Sequence, residues 1–323
     1  MSADLVPQRP TLAQVSHIAD RAFISKLLED YREKKSEQTL RRQRADLALF
    51  ASYLDDAGIA PSDFYNDIAA WHGMSFGILE GFKQWMLDQG YSMGSINVRV
   101  ATVRRYCTLA FRAGYISEEA HALIKTVKGF TGDERRNIDE KREVTRNGHK
   151  KAVPTSITYE QAEQLKDQPD PRDALLMCLL IDHGLRCGEV AGLRVENFDL
   201  SSGEIKFYRH KVNKWQTHKL TQQTLDAARS YLEKAGVNDR AFIGDGPEGS
   251  YTVRSINKRV RSLGDELEID HLSPHDCRHY WATRALKRGT NIRSLQQAGG
   301  WKSPYMPLRY AEETEIANEG VIL

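Results

Sequence analysis

The sequence predicts a mainly α-helical protein with one small β-hairpin, divided into two domains. Apolar residues recur at helical spacing through most of the 323-residue chain. One stretch, residues 203–220, instead shows two short strand-like runs on either side of the turn sequence HKVNK. A charged stretch without apolar periodicity, residues 129–153, separates two helical regions. Each region is long enough to bury a core of its own.

The first helical region covers residues 20–128 and follows an N-terminal tail, residues 1–19. In SEQTLRRQRADLALFASYLDDAG, Ser36 is the predicted N-cap and Gly58 follows the end of the helix. The predicted core stripe of this helix is Leu40, Leu47, Phe50 and Leu54. A later helix in SINVRVATVRRYCTLAFRAG has the stripe Ile96, Val100, Val103, Cys107 and Ala110. Between them, MSFGILEGFKQWMLDQG predicts a helix with Phe82, Trp85 and Met86 in the core.

Two of these helices carry arginines outside their apolar stripes. They are Arg41, Arg42, Arg44, Arg99, Arg104 and Arg105. Basic side chains grouped on a helix face suit contacts to DNA phosphates, and a solvated face explains them equally well. The formal net charge of +2 does not decide between the two, because phosphate binding depends on how the basic residues are grouped.

Residues 129–153 are predicted to be an extended, charged linker. Seven basic residues stand against five acidic ones in this stretch. The basic residues are Arg135, Arg136, Lys141, Arg142, Arg146, Lys150 and Lys151. Such a linker is suited to wrap a polyanion, and an idle connection would have the same composition.

The second domain covers residues 154–323 and ends in a short C-terminal tail after Tyr310. Thr158 and Gln161 have the spacing of a capping box at its first helix. The next helix is predicted from Arg172 to about His183 and is ended by Gly184. The β-hairpin follows, and helices resume after Thr221.

The chain shows no feature of a membrane or secreted protein. Its longest apolar run, ALLMCLLI, is too short to span a bilayer. The opening MSADLVPQRP lacks a basic start followed by an apolar segment, so a cytoplasmic location is predicted. The four cysteines form no CxxC pair, which favours free thiols over disulfides or a zinc site.

Polar residues able to act on a phosphodiester are distributed along the second domain. In SPHDCRHYWATRA, His275, Arg278 and His279 share one side of a predicted helix. In HGLRCGEVAGL, Arg186 begins a helix and Glu189 follows three residues on. The others are Lys211 at the hairpin tip, Trp301, and Tyr310 nine residues after it. Arginines can grip phosphate oxygens, lysine and histidine can move protons, and tyrosine can attack.

The order and spacing of these residues resemble the catalytic domain of the tyrosine recombinase, or phage integrase, family. GLRCGE resembles the first arginine box of the family, HKVNK its hairpin lysine and HDCRH its His-x-x-Arg box. GWKSPYMPLRY resembles the box that ends in the nucleophile. The resemblance spans about residues 154–310, and residues 20–128 resemble, more weakly, the SAM-like helical core-binding domain of the family.

The resemblance implies a site-specific recombinase or integrase in which Tyr310 attacks DNA to form a 3′-phosphotyrosyl link. Arg186 and Arg278 would hold the non-bridging oxygens, and Lys211 would protonate the leaving 5′ oxygen. His275 would assist proton transfer, and Trp301 would contribute an indole N–H. Glu189 and His279 would support the site. No metal and no other cofactor is implied.

Three details depart from the family pattern. Trp301 stands where histidine is often found, which is a known variant. Pro304 and Pro307 are expected to prevent a regular helix just before Tyr310. Tyr305 is a second tyrosine nearby, but its spacing from Trp301 does not fit the family, so attack is assigned to Tyr310.

The resemblance implies double-stranded DNA recombination sites as partners, bound by a homotetramer of the two-domain Xer and Cre type. Accessory DNA-bending proteins are a further partner that the resemblance allows. The sequence leaves three alternatives open. A type IB topoisomerase would share the tyrosine chemistry, and a non-catalytic protein would only bind DNA. A metal site is the third, since His271, His275 and His279 are spaced by four residues.

Overall fold

The structure is a computed structural model that describes residues 11–60, 62–141, 154–235 and 252–312. The chain divides into two compact units, Met1–Lys150 and Lys151–Leu323. The described helices of the first unit are α1 Leu12–Glu33, α2 Glu37–Asp56, α3 Phe76–Asp88, α4 Met93–Arg112, α5 Glu118–Thr126 and α6 Gly132–Asp139. Those of the second are α7 Tyr159–Lys166, α8 Pro171–Ile181, α9 Cys187–Ala191, α10 Gln222–Ala235, α11 Val253–Glu266, α12 Pro274–Lys287, α13 Ile292–Gly299 and α14 Tyr305–Glu312. A three-stranded sheet completes the second unit, which confirms the predicted class.

The core of the first unit is formed by helices α2, α3 and α4 around a group of aromatic rings. Ser36 caps α2 by accepting a hydrogen bond from the backbone N–H of Thr39, as predicted. The apolar stripe of α4 is buried at 0 to 1 % exposure. Phe50 stacks on Trp71 with ring centroids 5.7 Å apart. Trp71 lies in a short 3₁₀ turn, where periodicity does not mark a core residue.

Two segments of the first unit differ from the prediction. Helix α1 begins at Leu12 rather than near residue 20, so part of the expected tail is helical. The expected extended linker contains α6, which begins with a capping box between Thr131 and Glu134. Capping and the acidic first turn stabilise this helix without an apolar stripe. Residues 142–153 of the predicted linker lie outside the described residues.

The core of the second unit surrounds α8, which packs against α7, α10 and α12. Every residue from 175 to 181 is buried, because neighbouring helices cover this helix on several sides. Asp170 caps its start, one residue before Pro171. Gly184 follows its end with φ of +59° and turns the chain toward α9.

The predicted hairpin is present, with one further short strand beside it. Strands β1 (Phe198–Asp199), β2 (Glu204–Arg209) and β3 (Lys214–Lys219) are antiparallel in the order β1-β2-β3. Alternate residues of β2 face the core, and the buried ones are Ile205, Phe207 and Arg209. The turn between β2 and β3 carries Lys211 at the surface.

Helix α14 corrects the expectation for the two prolines. The helix runs through Pro307, and its first backbone bond links the N–H of Leu308 to the carbonyl of Pro304. Pro307 is the third residue of the helix, where a backbone N–H has no acceptor within the helix. A proline there costs no hydrogen bond, so Tyr310 lies on a regular helix.

Candidate active site

Arg278 lies at the centre of the predicted site and is almost fully buried, with 3 % exposure. Helix α12 places it one turn beyond a helix start made by Ser273 and Pro274. One terminal nitrogen of its guanidinium donates to the carbonyl of Gly184, and the other to the carbonyl of Gly299 at 2.6 Å. Two loops therefore fix the orientation of this arginine.

Both loops require glycine. At Gly184, a Cβ would overlap the ring of Trp281, and the backbone is left-handed. At Gly299, a Cβ would overlap the ring of Trp301. Gly300 ends α13 in the left-handed conformation, with φ of +59°. The glycines let the carbonyl groups that hold Arg278 approach the packed indoles closely.

Arg186 is the N-cap residue of α9, as predicted, and is held by Glu189. Its backbone N–H and one terminal nitrogen each donate to the Glu189 carboxylate at 2.8 Å. Its second terminal nitrogen donates to the carbonyl of Gly300 at 3.3 Å. Arg186 and Arg278 therefore both donate to the Gly299–Gly300 turn. The side chain of Arg186 keeps 21 % exposure, so this guanidinium is open to a ligand.

Arg209 belongs to the same cluster and was missed by the sequence analysis. It is fully buried and donates to both oxygens of Glu189, at 2.9 and 2.8 Å. Its other terminal nitrogen donates to the carbonyl of Ala298 at 2.6 Å. The sequence did indicate its burial, because Arg209 follows Ile205 and Phe207 at a spacing of two residues and so lies on the same, apolar side of strand β2.

Tyr310 contacts two other predicted site residues. Its ring centroid lies 5.0 Å from that of His279 and 5.7 Å from that of Trp301. The guanidinium carbon of Arg278 lies 4.5 Å from the centre of the Trp301 ring. Tyr310 is 5 % exposed, and its charge would interact with that of Arg278. The tyrosine, the indole and the buried arginine thus form one continuous group.

His275 and Lys211 lie at the surface beside this group. Both side chains are exposed. Desolvation and the positive charges of Arg278, His279 and Lys211 lower the pKa of His275, while the carboxylate of Asp276 opposes this effect. His275 is therefore neutral at pH 7, and its imidazole is able to accept a proton. The influence of Lys211 on this pKa places the hairpin turn within electrostatic range of α12.

The cluster carries an excess of positive charge. Burial, followed by the charges of Arg186 and Arg209, lowers the pKa of Arg278 to about 9, and Glu189 offsets part of this effect. Three guanidinium groups thus interact around one carboxylate. Their like charges repel one another, so the arrangement favours an anionic ligand.

The predicted basic residues of α2 and α4 belong to the first unit. Arg42 and Arg99 lie near the buried carboxylate of Asp46, at 3.7 and 3.9 Å. Arg44 stacks on the ring of Tyr65. Four of the six, Arg41, Arg42, Arg44 and Arg105, are exposed, and Arg99 and Arg104 are half-buried.

Helix α11 presents a second basic stripe, which the sequence analysis did not single out. Arg254, Lys258 and Arg261 are exposed along one side of the helix. None of them forms an ion pair with another residue of the described ranges. The opposite side of the helix is buried through Ile256, Val260 and Leu263. The spacing of four and three residues between the basic side chains was visible in the sequence.

The metal-site alternative gains no support from the geometry. His271 precedes α12 with φ of +56°, so it does not continue the helical spacing of His275 and His279. Within the part of the chain that the structure describes, no three His, Cys, Asp or Glu residues are grouped to hold a metal ion. All four cysteines are free thiols. No helix in the described ranges is long and apolar enough to cross a membrane.

Comparison with known proteins matches residues 155–315 to the phage integrase family. The tyrosine recombinase XerD of Staphylococcus haemolyticus (strain JCSC1435) is 25 % identical over 279 residues, covering 82 % of this chain and 84 % of the relative. XerC of Azotobacter vinelandii (strain DJ / ATCC BAA-1303) is 24 % identical and covers 87 % of each chain.

Two solved structures share the fold. The Tn1549 transposon integrase in complex with transposon right end DNA has a TM-score of 0.60 at 16 % identity, covering 89 % of this chain and 94 % of that one. The lambda integrase dimer bound to a COC′ core site has a TM-score of 0.64 at 11 % identity, covering 98 % and 85 %. The chain belongs to the phage integrase family. It is a tyrosine recombinase, an enzyme of site-specific DNA recombination.

Proposed function

We propose that Tyr310 cleaves one DNA strand at a recombination site through a 3′-phosphotyrosyl intermediate. The observation that carries this proposal is the buried, doubly anchored guanidinium of Arg278, in range of both Trp301 and Tyr310. A phosphodiester supplies the negative charge that the arginine cluster favours. The tyrosine beside the cluster supplies the nucleophile.

In this reaction the Tyr310 phenolic oxygen forms a bond to phosphorus while the bond to the 5′ oxygen breaks. Arg186 and Arg278 hold the non-bridging oxygens and stabilise the negative charge of the transition state, where one positioned donor contributes about 3 kcal/mol. The departing oxygen receives a proton from Lys211. His275, being neutral, accepts the phenolic proton. Trp301 packs beside the phosphate and offers its indole N–H.

Rejoining reverses these steps. A 5′ hydroxyl attacks the phosphorus and gives its proton to Lys211, the bond from phosphorus to the Tyr310 oxygen breaks, and this oxygen takes its proton back from His275. The bond energy is retained in the covalent link, so exchange of strands between two sites needs no nucleotide cofactor. The group of side chains that performs this chemistry contains no metal ligand set.

The DNA partner is a pair of double-stranded recombination sites bound by four copies of the chain. The relatives are Xer recombinases, and both solved structures are integrases bound to DNA. Arg254, Lys258 and Arg261 on α11 are proposed to contact phosphates, together with the arginines of α2 and α4. The two-unit organisation supports the Xer and Cre type.

Relaxation as a type IB topoisomerase and binding without catalysis are not favoured, because the matched relatives are recombinases.

The test is covalent transfer of the protein to labelled, nicked duplexes taken from the sequence that flanks the gene. Wild-type protein is expected to form an adduct that survives denaturation, and Tyr310→Phe is expected to form none. Tyr305→Phe is the matched control, because Tyr305 is 65 % exposed at the start of the same helix. An adduct that persists in Tyr310→Phe and disappears in Tyr305→Phe would contradict the assignment of the nucleophile.

A further inference from the structure

Arg209 makes more hydrogen bonds within the site than either proposed phosphate-binding arginine, although it is fully buried and closed to a ligand. Its Nη1 atom bonds both oxygens of Glu189, its Nη2 atom bonds the carbonyl of Ala298, and its Nε atom donates to Gln216 at 2.5 Å. The proposed reaction assigns it no role. Its contacts link three elements, α9, β3 and the end of α13.

The end of α13 is held by the β2–β3 hairpin. The carbonyl of Ala298 also accepts a bond from His218 at 3.1 Å. Gln216 donates to the carbonyl of Gln297 at 2.8 Å. Carbonyl groups in the last turn of a helix lack the helical donor that earlier ones have, so these side chains fix the end of the helix. The carbonyl of Gln297 also accepts from the backbone N–H of Gly300 at 3.1 Å.

The turn that follows is the one that holds the catalytic arginines. Gly299 and Gly300 come directly after Ala298, and their carbonyl groups accept from Arg278 and Arg186. A Cβ at Gly300 would overlap Cδ of Arg209, so the turn packs directly on this side chain. Arg209 thus contacts both supports of Arg186, namely Glu189 and the turn.

We propose that Arg209 is a positioning residue that fixes the Gly299–Gly300 turn and Glu189 together, and through them sets the geometry of Arg186 and Arg278 against the scissile phosphate. The inference rests on the proposed function. Arg209 also links the hairpin that carries Lys211 to Arg186 and Arg278, because β2 ends at Arg209, two residues before Lys211. The proton donor and the phosphate-binding groups then share one rigid support.

A role in stability alone does not explain an arginine at this position. Its neighbours on the inward side of β2 are Ile205 and Phe207, and an apolar side chain in such surroundings is often as stable as a buried ion pair. Replacement by methionine would leave Glu189 bonded to Arg186. Unlike an apolar side chain, arginine provides a planar set of donors that binds the Glu189 carboxylate and the Ala298 carbonyl in fixed directions.

The test compares Arg209→Met with Arg259→Met. Arg259 is a matched control because it also pairs with a buried carboxylate of the same unit, that of Asp173, at 2.7 Å, and it bonds Ser262 and Glu266 on its own helix. Single-turnover adduct formation is measured at saturating DNA on two substrates. One has an ordinary scissile phosphate, and the other has a methylphosphonate there, which removes the negative charge that the arginines bind.

On the ordinary phosphate, Arg209→Met is expected to slow adduct formation about 100-fold, the effect of losing one aligned donor. On the methylphosphonate, the ratio of wild-type to variant rates is expected to fall to about tenfold or less, because less charge remains to be stabilised. Arg259→Met is expected to cleave both substrates at rates close to wild type. DNA affinity is expected to stay nearly unchanged in both variants.

Equal loss on the two substrates, or the same loss in Arg259→Met, would overturn the inference and leave Arg209 as a structural residue. Wild-type rates in Arg209→Met would overturn it as well. In these cases the adduct of the wild-type protein still supports the proposed function. If wild-type protein forms no adduct on either substrate, the proposed function fails and this inference fails with it.

Discussion

The guanidinium of Arg278 donates to the carbonyl oxygen of Gly299 at 2.6 Å. The turn that supplies this carbonyl also supplies one to Arg186, through Gly300. Two arginines from different helices are thereby oriented by two consecutive backbone groups. A change in the backbone of this turn should therefore alter both guanidinium groups together.

Gly300→Ala tests this dependence, with Gly289→Ala as its control. Both glycines have positive φ, but a Cβ at Gly289 would meet nothing within 4 Å, whereas one at Gly300 would overlap Arg209. We expect the left-handed backbone alone to cost about 1 kcal/mol at Gly289. Strain and overlap together should cost about 3 kcal/mol at Gly300. Urea unfolding measures both, and equal losses would show that the turn does not pack on Arg209 as described.

Acidification should destabilise the second unit through two imidazoles, the buried one of His183 and the half-buried one of His218. Burial is the main cause that lowers the pKa of His183 to about 4 and that of His218 to about 3. In the unfolded chain each has its ordinary pKa near 6.5. As the pH falls below 6.5, the unfolded state takes up protons that the folded state does not, so the free energy of unfolding decreases.

We expect a loss of about 1 kcal/mol per imidazole between pH 7.5 and pH 5.5. His183→Gln should show a smaller pH dependence than wild type when urea unfolding is measured at both values. His271→Gln, at an exposed position, is the control and should retain the wild-type dependence. An unchanged dependence in His183→Gln would mean that its imidazole is not buried in the neutral form.

Cys187 stands next to Arg186, and its reactivity is predicted to be low. Burial raises the pKa of this thiol to about 11 from an ordinary value of 9.0. The thiolate is the reactive form, so at neutral pH the reaction with iodoacetamide should be about 100-fold slower than that of an unperturbed thiol. Mass spectrometry of the native and the urea-unfolded protein measures the difference. Fast labelling of native Cys187 would contradict the partial burial of this thiol.

Most of the proposed site could be predicted because its residues are marked by local patterns. Arg186 and Glu189 begin a helix three residues apart, and Ser273 and Pro274 define the start of the helix that carries Arg278. Arg209 was missed because its acceptors lie 20 and 89 residues away along the chain. Such pairings depend on tertiary packing.

The prolines near Tyr310 illustrate a different cause of error. Whether a proline breaks a helix depends on its distance from the helix start, and sequence alone places such boundaries only within a few residues. Because α14 begins at Tyr305, Pro307 falls in the first turn. The helix of residues 132–139 was missed for the opposite reason, since capping rather than an apolar stripe stabilises it.

The salt dependence of DNA binding can separate the two sets of basic residues. Each phosphate contact contributes about one unit to the slope of log K against log salt concentration. If Arg254, Lys258 and Arg261 on α11 each contact a phosphate, replacing all three by glutamine should reduce the slope by about three. Arg41→Gln with Arg105→Gln tests the exposed arginines of α2 and α4 in the same way.

Arg229→Gln provides the control for that experiment, because Arg229 is an exposed arginine of the second unit that pairs with Asp226 on α10. Its slope should match that of wild type, since the partner already neutralises its charge. A slope that is unchanged in the triple α11 variant would show that this stripe does not contact phosphates. If only the α11 variant or only the α2 and α4 variant shows a reduced slope, the phosphate contacts belong to the unit that carries that set. The slope reports the number of phosphate contacts whatever the DNA sequence, because each contact releases bound counterions.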